Sequence, residues 1–260
     1  MRAESVGFVG GGRIARIMLE GWSRADAIPP RVVVSDPNEE VLAALQSRFP
    51  NIETCIGDNC AAAGQQIVFI GLHPAAFAEG LVGLGAALRS NAVVVSLAPK
   101  VTIERLRAML GGFDRIARAN PNAPSIVGAG YNPIAFGPDL DASARQLVLD
   151  LFAPLGEAPI VDEPTIEAYA VTSAMGPTYL WFQLYGLRDL AASFGLSDEA
   201  AAAAVDRMTR GALDTMASSG LTPAEVMDLV PVHPLGEVEA SFNDAYRSRL
   251  TAVMERIRPA

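Results

Sequence analysis

The run Ser5-Val6-Gly7-Phe8-Val9-Gly10-Gly11-Gly12-Arg13-Ile14-Ala15 passes from an apolar strand pattern, through three glycines, into a helical period that continues to Ser23. It matches G-x-G-x-x-A, with a strand before it and a helix after it, as dinucleotide binding requires. Gly10 permits the tight turn and Gly12 lets a pyrophosphate approach the backbone. The small Ala15 allows close helix–strand packing. The amides of Arg13, Ile14 and Ala15 then open a helix whose N-terminus attracts phosphate.

The pattern repeats outward from this loop. Arg31–Ser35 is a β-branched run, followed by Asp36-Pro37-Asn38 and an amphipathic stretch, Glu39–Arg48. Gln66–Leu72 reads as a strand and Ala75–Leu88 as a helix. Ala92–Leu97 is again a strand, and Thr102–Leu110 a helix that Thr102 caps. Arg115–Ala119 closes the series. Alternating strands and helices predict βαβ units around a Rossmann-type parallel sheet.

Beyond about residue 160 the period is helical throughout. Glu167–Phe194 reads as a long helix interrupted at Gly176-Pro177, with Gly195 past its end. Ser197 caps a second helix, which Gly220 stops. Thr222-Pro223-Ala224-Glu225 is a capping box that starts a third. A loop with Pro231, Pro234 and Gly236 precedes a last helix to about Arg256. The expected division is a dinucleotide-binding α/β domain over 1–160 and an all-α domain over 161–260.

Composition excludes several classes. Half of the 260 residues are hydrophobic and 19% are charged, a globular balance. Twenty basic against 29 acidic residues give a net charge of −9, and no Lys or Arg cluster marks a nucleic-acid face. The single lysine is Lys100. Cys55 and Cys60 are too few for a disulfide framework and lack metal-ligand spacing, so no metal and a reducing, cytoplasmic setting are expected. No signal-peptide layout opens the chain, and no apolar run reaches the ~18 residues of a membrane span.

Asp36 stands 26 residues beyond Gly10, at the end of the second strand. An acid there accepts ribose hydroxyls of NAD and repels the 2′-phosphate of NADP; equally, Asp36-Pro37 is turn and cap chemistry. NAD is favoured, with NADP open because Arg24 and Arg31 offer charge to a phosphate.

Longer stretches carry a resemblance to the pyrroline-5-carboxylate reductase family. They are Val6–Gly12; Val93-Val94-Val95-Ser96-Leu97-Ala98; Arg118-Ala119-Asn120-Pro121-Asn122-Ala123-Pro124, against R-A-M-P-N-T-P; and Ser173-Ala174-Met175-Gly176-Pro177-Thr178-Tyr179, against S-G-S-x-P-A-Y. The resemblance implies NAD(P)H-dependent hydride transfer to the C=N bond of a cyclic imine, 1-pyrroline-5-carboxylate to proline, in proline biosynthesis. It also implies a homodimer or higher oligomer with interleaved C-terminal helices, and an active site completed partly by the partner subunit.

The chain departs from the family in its second half. The family's S-P-G-G-T-T loop, understood to hold the substrate carboxylate, is replaced by His233-Pro234-Leu235-Gly236-Glu237-Val238. Both threonines are lost, and a carboxylate has arrived that would repel another. V-K-P becomes Leu72-His73-Pro74, and A-G-V-T becomes Pro99-Lys100-Val101-Thr102. A related imine is therefore open as substrate. Two alternatives stand beside it: a cofactor-binding regulatory or scaffold protein without catalysis, and a hydroxy-acid type dehydrogenase. Against the last, no lysine lies on a long helix.

Reduction of an imine needs positioning, water exclusion and at most one proton donor. Tyr179, Ser173 and His233 are the catalytic candidates. His73 and Pro74 follow a strand that should end beside the nicotinamide, as does Ala98. Asn122, between two prolines, either orients the nicotinamide carboxamide or bonds its own loop. Trp181, Phe182 and Tyr185 read as core or dimer interface.

Overall fold

The computed structural model describes residues 3–259; of Pro74 only the backbone is described. Two compact units form, Met1–Met175 with Val253–Ala260, and Gly176–Ala252.

The first unit is built on a seven-stranded sheet. Its strands are β1 (Ser5–Val9), β2 (Arg31–Asp36), β3 (Glu53–Ile56), β4 (Ile67–Ile70), β5 (Val93–Ser96), β6 (Ile116–Ala119) and β8 (Ile134–Phe136). The order is β3-β2-β1-β4-β5-β6-β8, parallel except for antiparallel β8 at the edge. Two residues of β7 (Gly130–Tyr131) pair with β9 (Gly156–Glu157) in a separate ribbon.

The Rossmann-type expectation holds, and the alternation of side chains explains its two cores. Val6, Phe8, Val32, Val34, Phe69 and Val95 line one face, against Met18, Leu19 and Trp22 of α1 (Arg13–Arg24) and Leu42 and Leu45 of α2 (Glu39–Arg48). Phe8 stacks on Phe69 at 5.1 Å, and the Trp22 indole N–H donates to the Leu151 carbonyl at 2.7 Å. Val9, Val33, Val68, Ile70 and Val94 line the opposite face, against α3 (Asn59–Ala63), α4 (Phe77–Gly80), α5 (Leu84–Ala87) and α6 (Ile103–Met109). Strands buried on both faces read as continuous apolar runs, which is why β1, β4 and β5 were legible.

Two expectations are corrected. The helix over 75–88 is broken: Pro74–Ala76 is 3₁₀, and α4 and α5 are separated around Gly83, whose φ is +75°. Gly80, Gly83 and Gly85 each cost about 1 kcal/mol relative to Ala in a helix, so the period does not carry through. The series does not close at Ala119 either, since β7, β8, α7 (Ala142–Phe152) and β9 follow. β3 and α3, which gave no apolar run, complete the edge beyond β2.

The long helix is interrupted at Gly176-Pro177 as expected, after a π-helical turn. It comprises α8 (Ile166–Tyr169), a π-helical turn (Ala170–Ala174), and α9 (Pro177–Ser193). Pro177 has no N–H and its ring crowds residue i−4, so the turn before it widens. The Met175 N–H accordingly reaches back five residues, to the Ala170 carbonyl at 3.0 Å.

The second unit holds α9, α10 (Asp198–Ser218), α11 (Pro223–Asp228) and most of α12 (Gly236–Ile257). Its punctuation is as read. Gly195 is left-handed at φ +98°, the Ser197 hydroxyl accepts from the Ala200 N–H, and the Thr222/Glu225 capping box is reciprocal. No residue of α9 is buried.

Candidate active site

Strand register sets the height of the binding edge. Val9, Ile70, Ser96 and Arg118 stand at one level across β1, β4, β5 and β6. Just above it the chain leaves β1 as Gly10-Gly11-Gly12, β4 as Gly71-Leu72-His73 and β5 as Leu97-Ala98. Ligands of open parallel sheets bind above this carboxyl edge.

The glycine loop is shaped by two different demands. Gly10 has φ +103°, and a Cβ on it would lie 2.8 Å from the Gly71 carbonyl oxygen. Gly12 has an ordinary φ of −68°, and a Cβ there would meet nothing within 4 Å. Gly12 also caps α1, which has no side-chain cap bond and no acid in its first turn. Ala15 is buried, Ile14 half-buried and Arg13 exposed. An open glycine before an uncapped helix is the surface a pyrophosphate fits.

Asp36 reaches this loop. One carboxylate oxygen accepts from the Gly11 N–H and the other from the Asn38 N–H, both at 2.9 Å. The turn chemistry of Asp36 is thus realised, and the same carboxylate stands beside the glycine loop. The arginines do not join it. Arg31 opens β2 at the opposite edge, five residues and about 17 Å from Asp36, and pairs with Glu53 at 2.8 Å. Arg24 ends α1 and donates to the Pro154 carbonyl at 3.0 Å. The charge expected from them for a phosphate is therefore not supplied there.

Farther along the edge, His73 is exposed, and its Nδ1 lies 3.4 Å from the Ala75 N–H. Pro74 opens the 3₁₀ turn, with its side chain outside the described residues. Ala98 is buried, its N–H 3.4 Å from the Ser96 hydroxyl. Asn122 is also buried. Its Oδ1 accepts from the Tyr131 N–H at 3.1 Å, and its Nδ2 donates to the Ser173 carbonyl at 3.2 Å. The amide thus clamps the loop after β6 to the π-helical turn. The Ser173 hydroxyl donates to the Tyr169 carbonyl at 2.9 Å, within its own helix.

Sequence reasoning missed a charged cluster behind this edge. Arg118 is 1% exposed in the middle of β6 and pairs with Glu167, equally buried, and with Glu163 at 3.2 Å. The carboxylates in turn hold backbone beyond β5: Glu167 accepts from the Lys100 N–H at 3.3 Å and Glu163 from the Ile103 N–H at 2.6 Å. One signal was available, since an arginine inside the apolar strand Ile116–Ala119 demands a buried carboxylate. Two glutamates four residues apart on one helical stretch supply it.

In the helical unit, Tyr179 packs edge-on to Tyr246 at 6.0 Å, and burial, with Tyr246 beside it, pushes its phenol above the ordinary value. His233 is exposed, with Nε2 2.6 Å from the Val230 carbonyl and 3.2 Å from that of Met227. It ties its own loop together. Glu237 lies in the first turn of α12, where the helix dipole favours an acid. Trp181, Phe182 and Tyr185 are 45%, 66% and 62% exposed, so they are not core of the single chain. Among the described residues no cluster of His, Cys, Asp and Glu would hold a metal, and no helix is long and apolar enough to cross a membrane.

Comparison with known proteins agrees with this architecture. Residues 5–100 match the family described as NADP oxidoreductase, coenzyme F420-dependent. The chain is 26% identical to the pyrroline-5-carboxylate reductase of Escherichia coli K12 over 234 residues, 87% of this chain and 84% of that one. It is 26% identical to the Pseudomonas aeruginosa enzyme of that name over 258 residues, 98% and 93% of the two chains. A solved Plasmodium falciparum pyrroline carboxylate reductase with NADP bound shares the fold, with a TM-score of 0.76 at 19% identity, over 99% of this chain and 95% of that one. Over nearly its whole length, then, the chain is similar to pyrroline-5-carboxylate reductases, and it carries His233–Val238 as a rebuilt loop before its last helix.

Proposed function

We propose that this protein is an NAD(P)H-dependent oxidoreductase acting on the C=N bond of a cyclic imine, converting 1-pyrroline-5-carboxylate, or a close relative, to the saturated amine. The observation that carries this reading is the open Gly12 at the uncapped start of α1, beside Gly10 and Asp36 at the carboxyl edge of a parallel sheet. When bound, the nicotinamide supplies the hydride. Gly10, Gly12, Arg13, Ile14 and Ala15 hold the pyrophosphate, and Asp36 takes the ribose hydroxyls, which favours NAD over NADP. His73 and Ala98 stand at the nicotinamide end, where the backbone of Pro74 opens the turn. Asn122 fixes the loop after β6 against the π-helical turn through its bonds to Tyr131 and Ser173.

An iminium substrate already carries its proton, so the protein mainly orients it and excludes water. For a neutral imine a donor is needed. The Tyr179 phenol, raised by burial and by Tyr246 beside it, keeps its proton at neutral pH and is a candidate donor, with Ser173 and His233 beside it as candidates. The exposed aromatic row of α9 supports a homodimer built through the helical unit. Two free cysteines fit a reducing compartment, the cytoplasm.

The test is steady-state oxidation of NADH and NADPH by purified protein with 1-pyrroline-5-carboxylate. Turnover is expected, with NADH preferred, and Asp36→Ser should shift the preference toward NADPH. Absence of turnover with a panel of cyclic imines, together with retained cofactor binding, would overturn the reductase in favour of a cofactor-binding scaffold.

A further inference from the structure

The rebuilt loop before α12 leaves a question of charge: a substrate carboxylate needs a cation or several donors, and His233–Val238 holds no Lys, Arg or side-chain hydroxyl. The His233 ring bonds main-chain carbonyls, and Glu237 adds a negative charge. The only lysine of the chain lies elsewhere, at the carboxyl end of β5. Lys100 follows Ala98 by two residues, on the strand next to the one that leads to His73. This is the nicotinamide end of the binding edge.

Its backbone is unusual. Lys100 has φ +73°, in the left-handed region, and Asp26 is the only other non-glycine residue so placed among those described. The related family has glycine here, the residue that adopts this conformation at no steric cost. A lysine pays for it with roughly 1–2 kcal/mol. The strain is held from behind: Glu167 accepts from the Lys100 N–H, Glu163 from the Ile103 N–H, and the buried Arg118 guanidinium fixes both carboxylates. The side chain of Lys100 is exposed, and among the described residues no carboxylate pairs with its ammonium. A strained, braced loop that presents one unpaired cation at a ligand edge has the form of a specificity device.

Resting on the reductase reading above, we propose that Lys100 is the specificity-determining residue of this chain, its ammonium binding the carboxylate of the substrate in place of the lost hydroxyl loop. Arg118, Glu163 and Glu167 act through it, as positioning residues.

The experiment compares wild type with Lys100→Gly and Lys100→Arg on two imines, 1-pyrroline-5-carboxylate and 1-pyrroline, which lacks the carboxylate. Glycine suits the left-handed backbone, so Lys100→Gly should fold with an undiminished Tm and bind NAD(P)H as tightly as wild type, by fluorescence titration. Its KM for 1-pyrroline-5-carboxylate should rise about tenfold, with kcat nearly unchanged, as loss of one charge-assisted bond implies. KM for 1-pyrroline should not move, and Lys100→Arg should retain most of the affinity for the carboxylate. An unchanged KM for the carboxylate imine in Lys100→Gly overturns the proposal, as does an equal rise for both imines, which would make the loop's shape decisive. If wild type reduces neither imine, the reductase reading itself fails and this inference falls with it.

Discussion

A methyl group built on Gly12 meets nothing within 4 Å, whereas one built on Gly10 would stand 2.8 Å from the Gly71 carbonyl oxygen. Neighbouring backbone therefore explains Gly10, whereas no described neighbour requires glycine at position 12, as the proposed phosphate approach would. Gly12→Ala should leave the Tm within about 2 °C of wild type while weakening NAD(P)H binding at least about tenfold, because the methyl occupies the phosphate approach. Gly10→Ala, strained at φ +103°, should lower the Tm as well. Thermal melts paired with fluorescence titration separate the two; a Gly12→Ala protein that binds cofactor normally would remove the loop from the site. At this scale the motif was legible because glycine spacing is itself backbone geometry. Asn122 was not, since an amide facing a ligand and one facing Tyr131 and Ser173 look the same in sequence.

Between elements, the junction of β6 with the stretch leading into α8 depends on charge. Arg118→Met would leave the Glu167 carboxylate buried without its partner, a loss on the order of 3–5 kcal/mol, measurable by urea unfolding. A loss below 1 kcal/mol would show that the cluster contributes little. The start of α7 carries a pH dependence. The Ser143 hydroxyl, the Ala144 N–H and the Arg115 guanidinium all bond the Asp141 carboxylate and hold it well below the usual carboxylate range. A folded-state pKa below the unfolded one contributes stability above the unfolded value, near 3.9, and that contribution fades as pH falls. Asp141→Asn should thus be less stable than wild type at pH 7, with the gap closing below about pH 4; a gap constant with pH would contradict this. Thr102, Ser197 and Thr222 were readable as caps because capping is local. The break around Gly83 was not, because an apolar period outweighs glycine in a short window although not in the folded chain.

For the molecule as a whole, the helical unit exposes what a monomer would bury. Phe182, Tyr185 and Phe194 are each more than 60% exposed, and Leu187, Leu190, Phe194 and Met208 line an apolar groove between α9 and α10. Patches of this kind mark interaction sites. Sedimentation of wild type should give at least twice the 27.3 kDa chain mass, and Phe182→Glu with Tyr185→Glu should shift it toward the monomer. A monomeric wild type would refute the dimer.

The βαβ array, the dinucleotide loop and the helical second half were determined by the sequence itself. Each rests on periodicity or on a spacing of a few residues, and such interactions are complete within one element. The tertiary structure alone decided that Asp36 bonds Gly11, that Arg24 and Arg31 are engaged away from the loop, and that Arg118, Glu163 and Glu167 share one buried site bracing the left-handed Lys100. Those pairings join residues 22 to 130 positions apart, and their partners are chosen by strand order and register, which no local window contains.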